Sequence, residues 1–426
     1  MRRECVLTAF VTLLLARTAA ADRPDLVFVV DPKLGMESGV RTIESLSRIT
    51  FLYDESLRKL TQLDESEPTG KLLGVLGRGL QLSFLDGPIA GLATVLIHEV
   101  FGHGARAREA GMSPTYEFQL LPPYNWIFGR PAGHLAQTLS ADSGVLERDL
   151  SMITAGVEAE HLEAFWILAG AARNDFRVRR SELMLYVLAK LTYADEYLQA
   201  PGIVDDSLGD VYRYVELLAS RFNRWRPGER QEIHDRLSIA YVFHFVDPVF
   251  WVALVELTVG FLWRGEREHE LPTLTVGSFR ALPLARVLAS PFGAEHSIEV
   301  LLANDALALD VRGRFVSSGL ATAFGVGGQL MGLDLGHGFT FGGALDVWWQ
   351  PRVIFEQRLV FERDDLPGAS VAAYVDWTIH GGVGLTGKLA LKSRGYLFGQ
   401  PLDGGVYGYA GLRIGPAPVA RPAAAK

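Results

Sequence analysis

Cysteine is almost missing from this chain: Cys5 is the only one in 426 residues. It falls in an N-terminal segment with the features of a removable signal peptide, so the mature chain would have no disulfide and no thiolate ligand. Any metal would then be held by histidine and carboxylates. An excess of positive charge is missing too. Lys and Arg number 41 against 49 Asp and Glu, for a net charge of −8. Removing Arg2, Arg3, Arg17 and Glu4 with the signal takes this to −10, a balance that argues against nucleic acid as a partner. The most membrane-like stretch, 237–263, is broken by His244, Asp247, Pro248 and Glu256. Asp247-Pro248 reads as a helix cap and first turn. The helix after it, about 16 residues and about 24 Å long, falls short of a hydrocarbon core of about 30 Å. A buried core helix is expected there. Hydrophobic residues at 49% and 45 glycines keep membrane contact open all the same.

What is present divides the chain into four parts. Met1-Arg2-Arg3, an apolar middle from Cys5 to Ala16 and Ala19-Ala20-Ala21 before Asp22 describe a secretory signal over 1–21. No Cys follows the small residues, which excludes a lipoprotein signal. Residues 22–268 carry mostly helical patterns. Asp86-Gly87-Pro88 marks a helix start, and the helix it begins should run to about Ala110 and stop at Gly111. From 269 to 415 alternation replaces the helical period: Val371, Ala373, Val375 and Trp377 oppose Tyr374, Asp376 and Thr378. Val353, Phe355, Leu359 and Phe361 likewise oppose Glu356, Arg358 and Glu362, and glycine pairs at 327–328, 342–343, 381–382 and 404–405 punctuate the pattern. Seven to nine antiparallel strands are expected, as a meander, sandwich or barrel. Tyr396 to Arg413 resembles strands of bacterial outer-membrane barrels in texture. A Pro/Ala tail closes the chain at 416–426. The fold class is α+β: a helical domain, then an antiparallel β domain.

The chemistry concentrates in His98-Glu99-Val100-Phe101-Gly102-His103, at the end of an apolar run. His-Glu on a helix with a second His about one turn later is how zinc hydrolases hold metal and base together. Here the histidines are five residues apart, about 140° round an ideal helix, on different faces. They share a metal only if the turn between them is loosened into a π-bulge. Gly102 sits where that loosening is needed, and glycine adopts unusual backbone angles at least cost.

The hexapeptide resembles the H-E-x-x-G-H signature of the dipeptidyl-peptidase III family of zinc peptidases. The resemblance implies that His98 and His103 bind zinc, that Glu99 is the base, and that a Glu on a later helix is the third ligand. Among the acids of the next helical stretch, Glu158 lies 60 residues after His98, a separation similar to that family's. It shares the apolar side with Thr154, Leu162 and Phe165, and Gly156 would let a neighbouring helix approach. Glu158 is therefore the expected ligand, with Glu160 and His161 as alternatives. Glu160 and Glu163, three apart, otherwise read as a solvated helix face. Tyr116, His134 and His244 are candidate donors on the oxyanion side. His244 and Asp247 read more simply as satisfied structural polar groups.

These features lead to an exported zinc-dependent hydrolase, a peptidase acting on peptide or protein substrates in the periplasm or at the outer membrane. The alternative is a non-catalytic envelope protein, barrel-like and associated with the outer membrane through its β domain, in which any metal is structural. A membrane-embedded protease using 237–263 is a third reading.

Overall fold

The structure is a computed structural model. It describes residues 26–47, 67–118, 136–139, 145–192, 194–198, 209–224, 226–316, 318–353, 365–380 and 382–414. The signal segment, His134, the 354–364 stretch and the Pro/Ala tail lie outside the described residues.

The chain begins with strand β1 (Leu26–Val30), then helix α1 (Met36–Ser47). Next comes one unbroken helical rod from Pro68 to Glu109. It is built from α2 (Pro68–Gln81), a π turn (Leu82–Asp86), α3 (Gly87–Leu96), a second π turn (Ile97–His103) and α4 (Gly104–Glu109). The stop at Gly111 is as expected: its φ of 82° is the left-handed conformation that glycine supplies past a helix end. The start is not. Asp86 has helical angles and makes no cap bond. Its buried carboxylate instead accepts from Arg180 Nη2 at 3.1 Å, and a buried charge with a partner is tolerated inside a rod where a free one is not.

A short ribbon, β2 (Thr115–Phe118) with β3 (Ala136–Leu139), precedes α5 (Leu146–Ile153) and α6 (Ala155–Arg173). Then follow β4 (Arg177–Arg179), α7 (Arg180–Leu191), α8 (Ala194–Leu198), α9 (Asp210–Arg221), α10 (Glu229–Val242) and α11 (Pro248–Val255), the last prolonged by a π turn to Trp263. Asp247 caps α11, accepting from Val249 N at 3.0 Å, as its sequence indicates. α6 is the axis of the protein. Seventeen of its 19 residues are buried, including Glu160 and Glu163, so the solvated face expected of those acids does not exist. The reason is enclosure: α6 packs against the second π turn, α1 and α7, and also against the sheet.

That sheet is the second half of the protein. β5 (Glu268–Glu270) pairs with β4. β6 (Leu274–Val276), β7 (Phe279–Ser290), β8 (Gly293–Ala303), β9 (Leu307–Val316), β10 (Phe324–Gly336), β11 (Phe339–Pro351), β12 (Asp365–His380), β13 (Val383–Lys392) and β14 (Gly405–Ile414) form an antiparallel meander. β1 adds a tenth strand, pairing Leu26 with Ile414 through Val30 with Ala410. The helices and the sheet share one core, in which Ile97, Phe165 and Leu168 join Leu282, Leu301 and Met331.

Two of the glycine pairs do not punctuate strands. Gly327–Gly328 and Gly342–Gly343 sit inside β10 and β11. A Cβ on Gly327 would lie 2.0 Å from Asp346 Oδ1, so the missing side chain makes room for a charged one on the face turned towards α6. That face carries Arg312, paired with Asp346 at 2.9 Å, and Arg314 with Glu295 at 3.5 Å. The opposite face, at the alternate positions, is apolar and exposed.

Candidate metal centre

The five-residue spacing is resolved by the backbone. Ile97–His103 is π-helical, and the Nε2 atoms of His98 and His103 lie 3.0 Å apart. A wider turn brings to one side two residues that an α-helix would hold apart. Gly102 has a different part from the one expected. It is absent from the positive-φ residues, so the π turn it lies in needs no backbone angle reserved to glycine. A Cβ on it would stand 2.6 Å from Ala155 O and 2.7 Å from Gly156 Cα, so Gly102 lets the π turn cross the start of α6 at close range. Gly156 completes the crossing: a Cβ there would lie 2.2 Å from His98 Cε1. The close approach expected of Gly156 is present, and its neighbour is the imidazole itself. Gly156→Ala is expected to lower stability by about 1–3 kcal/mol through overpacking and to weaken the affinity of the His98–His103 pair for added metal. Chemical denaturation and metal titration check both.

Both imidazoles are held from behind. His103 Nδ1 donates to Met152 O at 2.6 Å. A carbonyl only accepts, so the proton is on Nδ1, and in the neutral ring Nε2 keeps its lone pair. His98 Nδ1 is 2.9 Å from Glu160 Oε1, a carboxylate–imidazole pair of the type that orients metal-binding histidines. Both Nε2 atoms then face the same point. The third group at that point is Asp210, the first residue of α9. Its Oδ2 is 3.0 Å from His103 Nε2 and 3.5 Å from His98 Nε2.

A triangle with these sides has a point about 2 Å from every corner, the usual zinc–nitrogen and zinc–oxygen distance. Two imidazole nitrogens and a carboxylate oxygen converging at such spacing are residues that could bind a metal ion. The donor set attracts positive charge, as a proton or a metal ion: burial works against a charge on either imidazole, yet Glu160 and Asp210 raise His98 well above its ordinary value and Asp210 raises His103. Burial alone would raise the Asp210 carboxyl, but the imidazoles of His103 and His98 hold it well below the usual carboxylate range. Glu99, next to His98 on the turn, is half-buried and near enough to His103 to act on its charge.

The structure does not bring Glu158 to this point. Its carboxylate takes both oxygens to Arg106 Nη2, at 2.8 and 2.9 Å, and accepts from Gly399 N at 2.7 Å. The carboxylate beside the histidines is that of Asp210. Helical phase puts Glu158 on a buried side, as expected, but that side faces Arg106 and the 399–400 loop. Glu160, an alternative ligand, stands behind His98. His161, the other, stacks on His244 with centroids 4.8 Å apart. Burial, with His244 and Lys190 nearby, pushes the His161 imidazole well below its ordinary value. Tyr116 OH accepts from Arg108 Nη1 at 2.6 Å. Asp247 is the buried partner of Lys190 at 2.9 Å, a structural group as its simpler reading has it.

Sequence reasoning missed Asp210 as a candidate ligand. It lies 112 residues after His98, and an acid in the first turn of a helix ordinarily answers the helix dipole. A second group, Glu256, Glu266 and His269, also has metal-like spacing. Arg264 already serves it, 3.4 Å from Glu256 and 3.1 Å from Glu266.

Comparison of the chain with known protein families, with curated proteins and with solved structures finds no match.

Proposed function

We propose that this protein is an exported zinc-dependent hydrolase, a peptidase, in which His98, His103 and Asp210 hold the metal and Glu99 is the general base. The observation that carries the reading is the convergence of three donor atoms within 4.8 Å of one another, beside a glutamate in a His-Glu-x-x-Gly-His turn. The motif resembles that of dipeptidyl-peptidase III, and an aspartate at the third position departs from that family's glutamate. When bound, zinc supplies Lewis acidity, which polarises a carbonyl and makes water acidic near neutral pH.

The residues divide the remaining work. Glu160 and Met152 O fix the two ring orientations, so that both Nε2 atoms are presented without a search. Glu99 takes a proton from the attacking water on its carboxylate and returns it to the departing amine. The close helix crossing at Gly102 and Gly156 keeps the pair rigid. Such rigidity raises a site's affinity by removing ordering costs at binding.

The test uses the purified full chain. One zinc per chain, loss of peptide-library cleavage on chelation and recovery on adding zinc are the expected results. A protein that cleaves equally well after complete chelation would overturn the metal assignment. A stoichiometric metal whose removal unfolds the protein, with no cleavage before removal, would favour the structural-metal alternative.

A further inference from the structure

We propose that the outward face of the ten-stranded sheet is a lipid-facing belt, and that its strands cross a phospholipid bilayer. The inference is independent of the hydrolase reading.

The first observation is that burial is inverted. On β13, Val383, Leu385, Leu389 and Leu391 are exposed while Thr386, Lys388 and Lys392 are buried. On β11, Leu345, Val347 and Trp349 are exposed while Asp346 and Gln350 are buried. A sheet in water turns its apolar side to the core and its polar side out. Here ions line the inside and aliphatic side chains the outside, the alternation of strands whose solvent is hydrocarbon.

The second observation is a pair of aromatic rows. At one end Phe315, Phe324 and Trp349 are in register on β9, β10 and β11. At the other, Phe339 and Trp377 are in register on β11 and β12 and stack at 5.2 Å. All five are exposed, and Val326, Leu345, Val347 and Val375 lie between the rows. Phe339 and Trp349 are ten residues apart on one strand. That is about 34 Å along the strand, or about 26 Å in height at a tilt of about 40°. Apolar bands of barrels in membranes are about 25 Å tall between aromatic girdles.

Third, helix side chains reach backbone groups near both edges of the sheet. Ser45 Oγ accepts from Val27 N at 2.7 Å, and Thr42 Oγ1 accepts from Val29 N at 3.2 Å along β1. At the other side, where β6 covers only Phe279–Ala281 of β7, Lys190 Nζ donates to Ala285 O at 3.2 Å. Unsatisfied strand edges are costly in hydrocarbon, and these helix side chains satisfy part of each edge.

Helices leave apolar surface open as well. The rod from Pro68 to Glu109 is long and apolar enough to cross a membrane, and only 28% of its most apolar window is buried. Trp251, Val255, Val259 and Trp263 form an exposed stripe at four-residue spacing, so the helix after Pro248 is not the fully buried core helix its length suggests. A single protein partner would have to cover both surfaces; a bilayer does so without specific contacts.

The test places a fluorescent reporter on the belt. In a Cys5→Ser background, Val326→Cys, Leu345→Cys and Leu389→Cys carry an environment-sensitive dye, with His337→Cys in an exposed turn as control. The full chain is reconstituted in phosphatidylcholine vesicles containing nitroxide-labelled acyl chains. At the three belt sites the acyl quencher should reduce emission at least twofold while iodide has little effect; at the turn the order should reverse. Iodide quenching at all the belt sites would overturn the proposal. So would a detergent-free, water-soluble protein whose labels are shielded without lipid, the result of burial against a second copy. A flotation gradient of carbonate-washed membranes with the unsubstituted chain gives a check free of folding defects: the protein should float with lipid, and recovery at the bottom refutes the belt. Chelated protein should give the same quenching, which separates this outcome from any failure of the hydrolase reading.

Discussion

In the proposed hydrolase, Glu99→Gln is expected to cut hydrolysis by about 10²–10⁴-fold, the usual share of a general base, while one metal ion per chain remains. The amide has nearly the size of the carboxylate, so packing of the π turn is preserved, but it has no site for the proton that water must lose. Because Glu99 is not among the three converging donor groups, the metal should stay. Cleavage kinetics and metal content of the same sample check the two halves of the result. An active Glu99→Gln would remove this residue from the chemistry; loss of metal together with activity would instead place it among the ligands.

The second large effect separates two carboxylates that sequence alone does not distinguish. Asp210→Ala is expected to weaken metal binding by at least about 100-fold. Loss of a residue that merely orients a ligand already costs about 10–100-fold, and Asp210 contributes a donor atom itself. Its partial exposure, 22% at the side chain, leaves the fold little affected. Glu158→Gln should do the opposite. The side chain of Glu158 is fully buried against Arg106, and breaking a buried pair by removing one charge costs about 3–5 kcal/mol. Metal affinity per folded molecule should hold. Denaturant melts and competition with a chromogenic chelator, run on both variants, read the contrast. If Glu158→Gln released the metal from a fully folded protein, the ligand assignment would revert to Glu158.

Much of the architecture was legible because it follows from local periodicity. The change from helical to alternating pattern near residue 270 matches the change from helices to sheet, since a period of 3.6 or of 2 is set by backbone geometry. The histidine spacing carried its own requirement for a widened turn, and the structure has a π turn over those residues. The capping at Asp247-Pro248 and the stop at Gly111 were readable for the same reason: each depends on a few adjacent residues.

Partnership across the fold was not legible. Asp86 looks like a cap and is an ion-pair partner of Arg180, 94 residues away. Glu160 and Glu163 look like a wet face and are enclosed, because surrounding elements and not the helix itself decide what solvent reaches. Gly102 looks like a backbone hinge and is a space for another helix.

By itself, then, the sequence determined the order of helices and strands, the histidine pair with its adjacent glutamate, and the two-residue alternation of the sheet. All of these are set by residues within a few positions of one another. Tertiary structure alone decided that Asp210 and not Glu158 meets the histidines, and that the apolar half of the alternation faces outward. The physical reason is the same in both cases. Helical phase and strand alternation fix which residues share a side, but which charge or which solvent that side meets depends on elements far away in the chain.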